Sequence, residues 1–282
     1  MRKRIILLVF IVLAAGAGSF WWVAKTNQKS ADKDDPPHSN PAYLVSLGDS
    51  VAAGDGLPVT GPGSLATVCA QSNEAYASLV AQARHLTLKQ FACSGATVAH
   101  GVLGSQAAGG QQVPPQLTAA TPYIQDSDVL ITIGANDVKW ASTVYACATS
   151  DCGTAGQLSA FEQNLSRLNT NLTTLAQDLH NLHPRKVVFN TYYPLLNSTD
   201  TCLASRGITA DKISWVNARE SDLNTAITKI AEKYKYQSVA VNFSGHLLCD
   251  SDPWIQSLND PAPLHPTAAG QAGIATQDER TL

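Results

Sequence analysis

Four short segments of this chain carry polar residues that a plain structural scaffold does not need. They are Gly48-Asp49-Ser50, Cys93-Ser94-Gly95-Ala96, Gly134-Ala135-Asn136-Asp137 and His265-Pro266. A serine hydroxyl is a poor nucleophile until a base removes its proton during the attack, and histidine is the side chain whose ordinary pKa best suits that task near neutral pH. The pattern therefore predicts that Ser50 is a nucleophile and that the other segments supply its helpers.

The elements predicted around these segments bring them together. Apolar runs typical of strands occur at residues 43–47, 88–92, 129–133, 187–191 and 238–242. Helical patterns occur at residues 73–85, 158–182, 211–234 and 266–276. Alternating strands and helices predict a parallel sheet with helices on both faces, and such sheets place their ligands at the carboxyl ends of the strands. The first three polar segments each follow a predicted strand, so we expect them at one edge of the sheet.

The order and spacing of the segments resemble the SGNH hydrolases, also called GDSL-type esterases and lipases. The match covers residues 42–273, with Ser50 in GDS, Gly95 in the second segment, Asn136 in GAND and His265 in HPTAAG. The resemblance implies a flavodoxin-like three-layer α/β/α sandwich with a parallel five-stranded sheet. It also implies a carboxylic ester hydrolase in which Ser50 forms an acyl-enzyme and His265 is the base. The backbone N–H groups of Ser50 and Gly95 and the side-chain amide of Asn136 would form the oxyanion hole.

Each of these residues also has a purely structural interpretation. Ser50 could cap the following helix, and Gly95 could occupy an ordinary turn. Asn136 could form an Asx turn, and His265 could be a surface residue before a helix. Asp137 is expected to have a structural role. The convergence of all four segments favours the catalytic interpretation for the other four residues.

The segment before His265 departs from the family pattern. The family usually has an Asp three residues before this His, where it orients the imidazole ring, but this chain has Ala262 there. Two hypotheses follow. Either Asp260 reaches the ring by another path, or a backbone carbonyl near Ala262 accepts the Nδ1–H; we favour the carbonyl, because the acceptor only has to fix the tautomer and the orientation.

The resemblance leaves the substrate open among lipid, carbohydrate and small-molecule esters. Two other functions stay open as well: a non-catalytic binding module that keeps the fold, and an acyltransferase that uses an alcohol in place of water. The loops at residues 57–75 and 138–158 are expected to shape the pocket. Asp126, Asp128 and the carboxylates of residues 25–41 form no metal-ligand set, so we expect no metal and no cofactor. We also expect a monomer.

The cysteines predict disulfides and not a metal or redox site. The chain has six, Cys69, Cys93, Cys147, Cys152, Cys202 and Cys249, and no two have C-x-x-C spacing. An even number behind an export segment favours disulfides, although sequence alone allows many pairings. Sequential pairing is the simplest, and it resembles the secreted actinobacterial members of the family that have three bridges.

The N-terminal residues predict export. Residues 1–24 combine the basic cluster Arg2-Lys3-Arg4 with an uncharged apolar run. Small residues at Ala15-Gly16-Ala17 favour a cleaved signal peptide, whereas Phe20-Trp21-Trp22-Val23 extends the run and favours an uncleaved signal anchor, which we prefer. The protein is therefore expected outside the cytoplasm, either secreted or in contact with the membrane through this segment.

Two further regions complete the expected organisation. Residues 25–41 are polar and contain prolines, which is typical of a flexible linker, and residues 42–282 form the SGNH hydrolase domain. The net charge of −3 gives no basic surface for nucleic acid.

Overall fold

The computed structural model describes residues 42–60 and 65–282. The predictions made for residues 1–24 and 25–41 lie outside this part of the chain, so membrane anchoring stays a prediction. Within the described ranges, no helix combines the length and the apolar character needed to cross a membrane.

A parallel sheet forms the centre of the fold. The strands of the described residues are β1 (Leu44–Gly48), β2 (Leu88–Gln90), β3 (Gln106–Ala108), β4 (Gln111–Val113), β5 (Asp128–Thr132), β6 (Lys186–Asn190) and β7 (Gln237–Val239). Five of them form one parallel sheet in the order β2-β1-β5-β6-β7, and β3 and β4 form a separate antiparallel pair. All five predicted strands are present, and every residue of β1 and β5 is buried, as the continuous apolar runs predict.

Helices cover the sheet. They are α1 (Ser50–Ala53), α2 (Leu65–Val68), α3 (Tyr76–Ala83), α4 (Gln116–Ile124), α5 (Trp140–Thr149), α6 (Ala155–Asn181), α7 (Ala210–Lys233) and α8 (Ala268–Glu279). Helix α3 packs with α8, and α6 packs with α7. The strand order changes direction at β1, so right-handed crossovers place the helices before and after this point on opposite faces. The result is the predicted three-layer α/β/α sandwich.

The long helices begin where their sequences provide caps. Thr154 accepts the N–H of Gln157, whose side chain reaches back to the Thr154 N–H, so a capping box starts α6. The apolar stripe of α6 is buried through Phe161, Leu168 and Leu172, as its three- and four-residue spacing predicts.

Two predictions about helices need correction. Residues 138–158 are not one loop, because α5 occupies Trp140–Thr149; its single fully buried side chain, Cys147, leaves too weak an apolar pattern to predict a helix. Pro266 does not open the last helix either. Thr267 caps α8 by accepting the N–H of Gly270, and Pro266 pairs with Ile255 in a short antiparallel bridge.

The topology creates a crevice at the carboxyl end of β1. Strand β1 lies between β2 and β5 in the sheet. The chain adds β2 on one side of β1 and then adds β5, β6 and β7 on the other side. Open α/β sheets bind their ligands at such a switch point. The segments that follow β1 and β5 contain Ser50 and Asn136, so the fold places both residues at this crevice.

Candidate active site

Ser50 is the first residue of α1, and its hydroxyl is not used to cap that helix. The cap is Asp49, whose carboxylate accepts the Val51 N–H at 3.0 Å. The Ser50 hydroxyl instead lies 2.7 Å from Nε2 of His265, which is 215 residues away in the chain. The capping interpretation of Ser50 is therefore wrong, and the serine and histidine meet within hydrogen-bond distance.

The position of the second ring nitrogen fixes the tautomer of His265. Its Nδ1 lies 3.1 Å from the carbonyl oxygen of Pro263. A carbonyl oxygen can only accept, so Nδ1 carries the proton and Nε2 presents its lone pair to the Ser50 hydroxyl. Asp260 does not contact the ring, because its carboxylate accepts the Ser257 N–H at 2.6 Å. Of the two hypotheses, the geometry matches the carbonyl, one residue after Ala262.

Three N–H groups of the predicted oxyanion hole have no acceptor in the part of the chain that the structure describes. The backbone N–H groups of Ser50 and Gly95 have no acceptor among the described residues. The amide of Asn136 donates one N–H to the Ala96 carbonyl at 2.9 Å, which leaves the other free. This contact joins Asn136 to the loop that carries Gly95. Gly95 has a φ of +79°, a conformation that glycine adopts without strain, and a side chain there would meet no protein atom within 4 Å.

The loop around Gly95 is attached on two sides. Both carboxylate oxygens of Asp137 accept the Val98 N–H, at 3.0 and 3.2 Å. The hydroxyl of Ser94 donates to the carboxylate of Asp55 at 2.6 Å, which ties the loop to the end of α1. Asp137 therefore has structural contacts, as expected. Because burial outweighs its backbone hydrogen bonds, the pKa of Asp137 is raised to about 6.

Tyr192, which is not among the residues predicted for the site, joins the segments after β1 and β5. Its hydroxyl donates to the Asp49 carboxylate at 2.5 Å and accepts the Ala135 N–H at 3.0 Å. Burial raises the pKa of Asp49 to about 7, against the opposing effect of the Tyr192 hydrogen bond. The carboxyl next to Ser50 therefore keeps its proton to a higher pH than an ordinary Asp does.

A signal for Tyr192 existed in the sequence. Residues 191–194 follow β6 directly, so the same criterion that selected the segments after β1 and β5 applies to them. The next residue, Tyr193, donates its hydroxyl to the Leu264 carbonyl at 2.9 Å and stacks on Phe243 with ring centroids 4.4 Å apart. Both tyrosines therefore support the site from the end of a third strand.

Two neighbouring cavities open around these residues. The first, the catalytic hollow, is lined by Ser50, Asn136 and His265 together with apolar side chains. The second, the apolar cavity, lies between α5, α7 and the loops that follow β6 and β7. Leu195 and Leu264 line both. The catalytic hollow is therefore next to a space suited to an apolar chain.

The disulfides lie around the same region. The pairs are Cys69–Cys93, Cys147–Cys152 and Cys202–Cys249, the sequential arrangement, and no described cysteine is free. Cys93 is two residues from Gly95, and Cys147 lines the apolar cavity. Within the described ranges, no group of three His, Cys, Asp or Glu side chains could hold a metal ion.

Comparisons with known proteins agree with the fold and the motifs. Residues 46–272 match the model of the GDSL-like Lipase/Acylhydrolase family. The chain belongs to this family and has its SGNH hydrolase fold.

Individual relatives are lipases of Streptomyces. Lipase 1 of Streptomyces coelicolor is 28% identical over 277 residues, which covers 93% of this chain and 92% of that protein. The crystal structure of an extracellular lipase from Streptomyces rimosus superimposes with a TM-score of 0.66 at 25% identity and covers 85% of this chain and 98% of that one. Phospholipase A1 from Streptomyces albidoflavus gives a TM-score of 0.69 at 25% identity, covering 86% and 98%. The chain is a carboxylic ester hydrolase.

Proposed function

We propose that this protein cleaves carboxylic esters of lipid type through an acyl-enzyme on Ser50, with His265 as the general base. The observation that carries the proposal is the 2.7 Å contact between the Ser50 hydroxyl and His265 Nε2, with Nδ1 directed at the Pro263 carbonyl. In this arrangement Nε2 can accept a proton at the moment when Oγ attacks.

The reaction proceeds in two halves. Oγ of Ser50 attacks the ester carbonyl while its proton moves to His265, and the N–H groups of Ser50, Gly95 and Asn136 bind the oxyanion. His265 then protonates the leaving alcohol as the acyl-enzyme forms. A water molecule, deprotonated by His265, releases the acid and restores Ser50.

The apolar cavity supports an ester with an alkyl acyl chain. It lies next to the catalytic hollow, with Leu195 and Leu264 lining both, and most of its other walls are aliphatic side chains such as Ile208 and Ile213. Burial of each methylene contributes roughly 0.8 kcal/mol, so acyl chains that enter the cavity bind more tightly than acetate. The relatives named lipase and phospholipase A1 point to the same substrate class.

An extracytoplasmic location is also proposed. Three disulfides form and persist in oxidising compartments, and the Streptomyces rimosus neighbour is described as an extracellular lipase.

The test uses the full chain and p-nitrophenyl esters from acetate to laurate. We expect Ser50→Ala to lower kcat/KM at least about 10³-fold while the melting temperature stays within a few degrees of the parent. Ser50-independent release would contradict the mechanism. No release from any ester by the parent chain would favour a binding module. If an added alcohol increased the release of p-nitrophenol and the ester of that alcohol formed, the result would favour an acyltransferase.

A further inference from the structure

The segment that carries His265 is held by a buried glutamine. Gln256 is only 4% exposed. Its backbone N–H donates to the His265 carbonyl at 2.7 Å, and its own carbonyl accepts the Leu264 N–H at 3.0 Å. A short antiparallel pairing thus fixes the backbone on both sides of the histidine.

The side chain of Gln256 connects this segment to the nucleophile. Its Oε1 accepts the Ala262 N–H at 3.3 Å, and its Nε2 donates to the Pro266 carbonyl at 3.1 Å. The same Nε2 donates to the carbonyl of Asp55, also at 3.1 Å, and the Asp55 N–H in turn donates to the Ser50 carbonyl at 3.0 Å. One amide therefore contacts the chain before His265, the chain after it and the end of α1.

The packing around this amide leaves no room for a larger neighbour. A Cβ added to Gly56 would lie 2.4 Å from Nε2 of Gln256 and 2.7 Å from Cβ of Ala262, and Gly56 has a φ of +86°. Ala262 is 8% exposed and occupies the position where the family usually has its acid. In this chain, the close contact of Gly56, Ala262 and Gln256 fills the space around that position.

Two other glutamines hydrogen-bond to α1, the short helix that begins at Ser50. A four-residue helix leaves its carbonyl oxygens without partners inside the helix. Gln271 donates to the Val51 carbonyl at 2.9 Å, and Gln90 donates to the Ala52 carbonyl at 3.1 Å. Neutral amides satisfy these oxygens without placing a charge beside the reacting groups. Among these three glutamines, only Gln256 has side-chain hydrogen bonds both to the residues flanking His265 and to the chain that follows α1.

We propose that Gln256 is a positioning residue that sets the distance between His265 Nε2 and Ser50 Oγ, the task that an acid at position 262 would share in other members of the family. The inference rests on the proposed function, because it concerns the base of that mechanism. Gln256 acts through the backbone at Ala262, Pro266 and Asp55.

The first test is Gln256→Met, which keeps the length of the side chain and removes the three hydrogen bonds. We expect kcat on p-nitrophenyl butyrate to fall about 100-fold with KM within about twofold, because a displacement of about 1 Å of a catalytic group has an effect of this size. The matched control is Gln277→Met. Gln277 accepts the Asn242 N–H at 2.9 Å and donates to the Gly273 carbonyl at 3.0 Å, away from Ser50 and His265. A kcat of Gln256→Met within about threefold of this control would overturn the proposal.

The second test, Gln256→Glu, remains informative if the methionine variant does not fold. The new carboxyl is buried beside the Asp55 and Pro266 carbonyl oxygens, so its pKa is raised, and only its protonated form can donate to one of them. We expect kcat/KM of the variant, divided by that of the parent at the same pH, to fall as pH rises through that pKa, while circular dichroism shows folded protein throughout. Activity with the parental pH dependence, or a loss that parallels unfolding, would overturn the proposal. Parental activity in Ser50→Ala would instead remove the proposed function itself.

Discussion

The ring of His265 lies between a hydroxyl and a carbonyl, and no carboxylate of the described residues contacts it. The Pro263 carbonyl accepts from Nδ1 at 3.1 Å, which fixes the same tautomer that an Asp would fix. A neutral acceptor does not stabilise the imidazolium by charge, however. The local backbone must therefore hold the ring in place. This agrees with the hydrogen bonds from Tyr193 to the Leu264 carbonyl and from Gln256 to the Pro266 carbonyl.

Asp260 is not expected to contribute to catalysis. Its carboxylate is engaged with the Ser257 N–H and its side chain is exposed, so we expect Asp260→Ala to change kcat/KM on p-nitrophenyl butyrate less than about threefold. The measurement is steady-state kinetics at several pH values, with Ser50→Ala as the inactive reference. A loss of about 10³-fold or more, the size expected for a triad acid, would show that Asp260 orients the ring during turnover.

Helix α5 lines both cavities. Trp140 and Ala141 face the catalytic hollow, and Val144, Cys147 and Ala148 face the apolar cavity. The Cys147–Cys152 disulfide closes the turn between α5 and α6. This helix therefore forms a wall that any acyl chain in the apolar cavity must contact.

A larger side chain on α5 that fills the apolar cavity should change the preference for acyl-chain length. We expect Val144→Trp to lower kcat/KM for p-nitrophenyl laurate about tenfold or more relative to acetate, because the tryptophan occupies space that several methylenes would fill. The control is Thr149→Trp, which adds the same side chain to an exposed position at the end of the same helix. An unchanged preference for chain length in Val144→Trp would place the acyl chain elsewhere.

Buried carboxyls determine how the stability of the whole protein depends on pH. Burial raises the pKa of Glu220 and of Asp278 to about 7, and the pKa values of Asp49 and Asp137 are raised as well. A carboxyl with a raised pKa in the folded state binds more protons there than in the unfolded chain. Its contribution to stability is therefore complete below its ordinary pKa and is lost as pH rises through the folded value.

We expect the melting temperature to fall between pH 5 and pH 8. Asp278 accepts the Asn190 amide at 3.0 Å in a buried site, and Asp278→Asn removes one titrating group there. This variant should have a slope that is smaller by up to roughly 1.4 kcal/mol per pH unit in the free energy of unfolding. Thermal unfolding at several pH values measures the first effect, and urea unfolding at the same pH values measures the second. A stability that increases from pH 5 to pH 8 would contradict the pKa shifts.

The sequence by itself determined the features that local signals encode. Continuous apolar runs predict β1 and β5 because strands buried on both faces need them, and periodic apolar positions predict α6 and α7. The motifs around Ser50, Asn136 and His265 identify the family through their residue types, order and spacing alone. Helix α5 was missed because its faces border cavities and solvent, so its apolar period is weak.

Only the tertiary structure decided which groups complete the site. The 2.7 Å contact between Ser50 Oγ and His265 Nε2 joins residues 215 positions apart in the chain. Their motifs can predict that both lie at the same edge of the sheet, but not the distance between the two atoms. The choice of the Pro263 carbonyl over Asp260 depends on the path of one loop, which Gln256 and Tyr193 fix by hydrogen bonds from distant parts of the chain. Such contacts leave no periodic or local pattern, because side chains that meet across loops obey no sequence spacing.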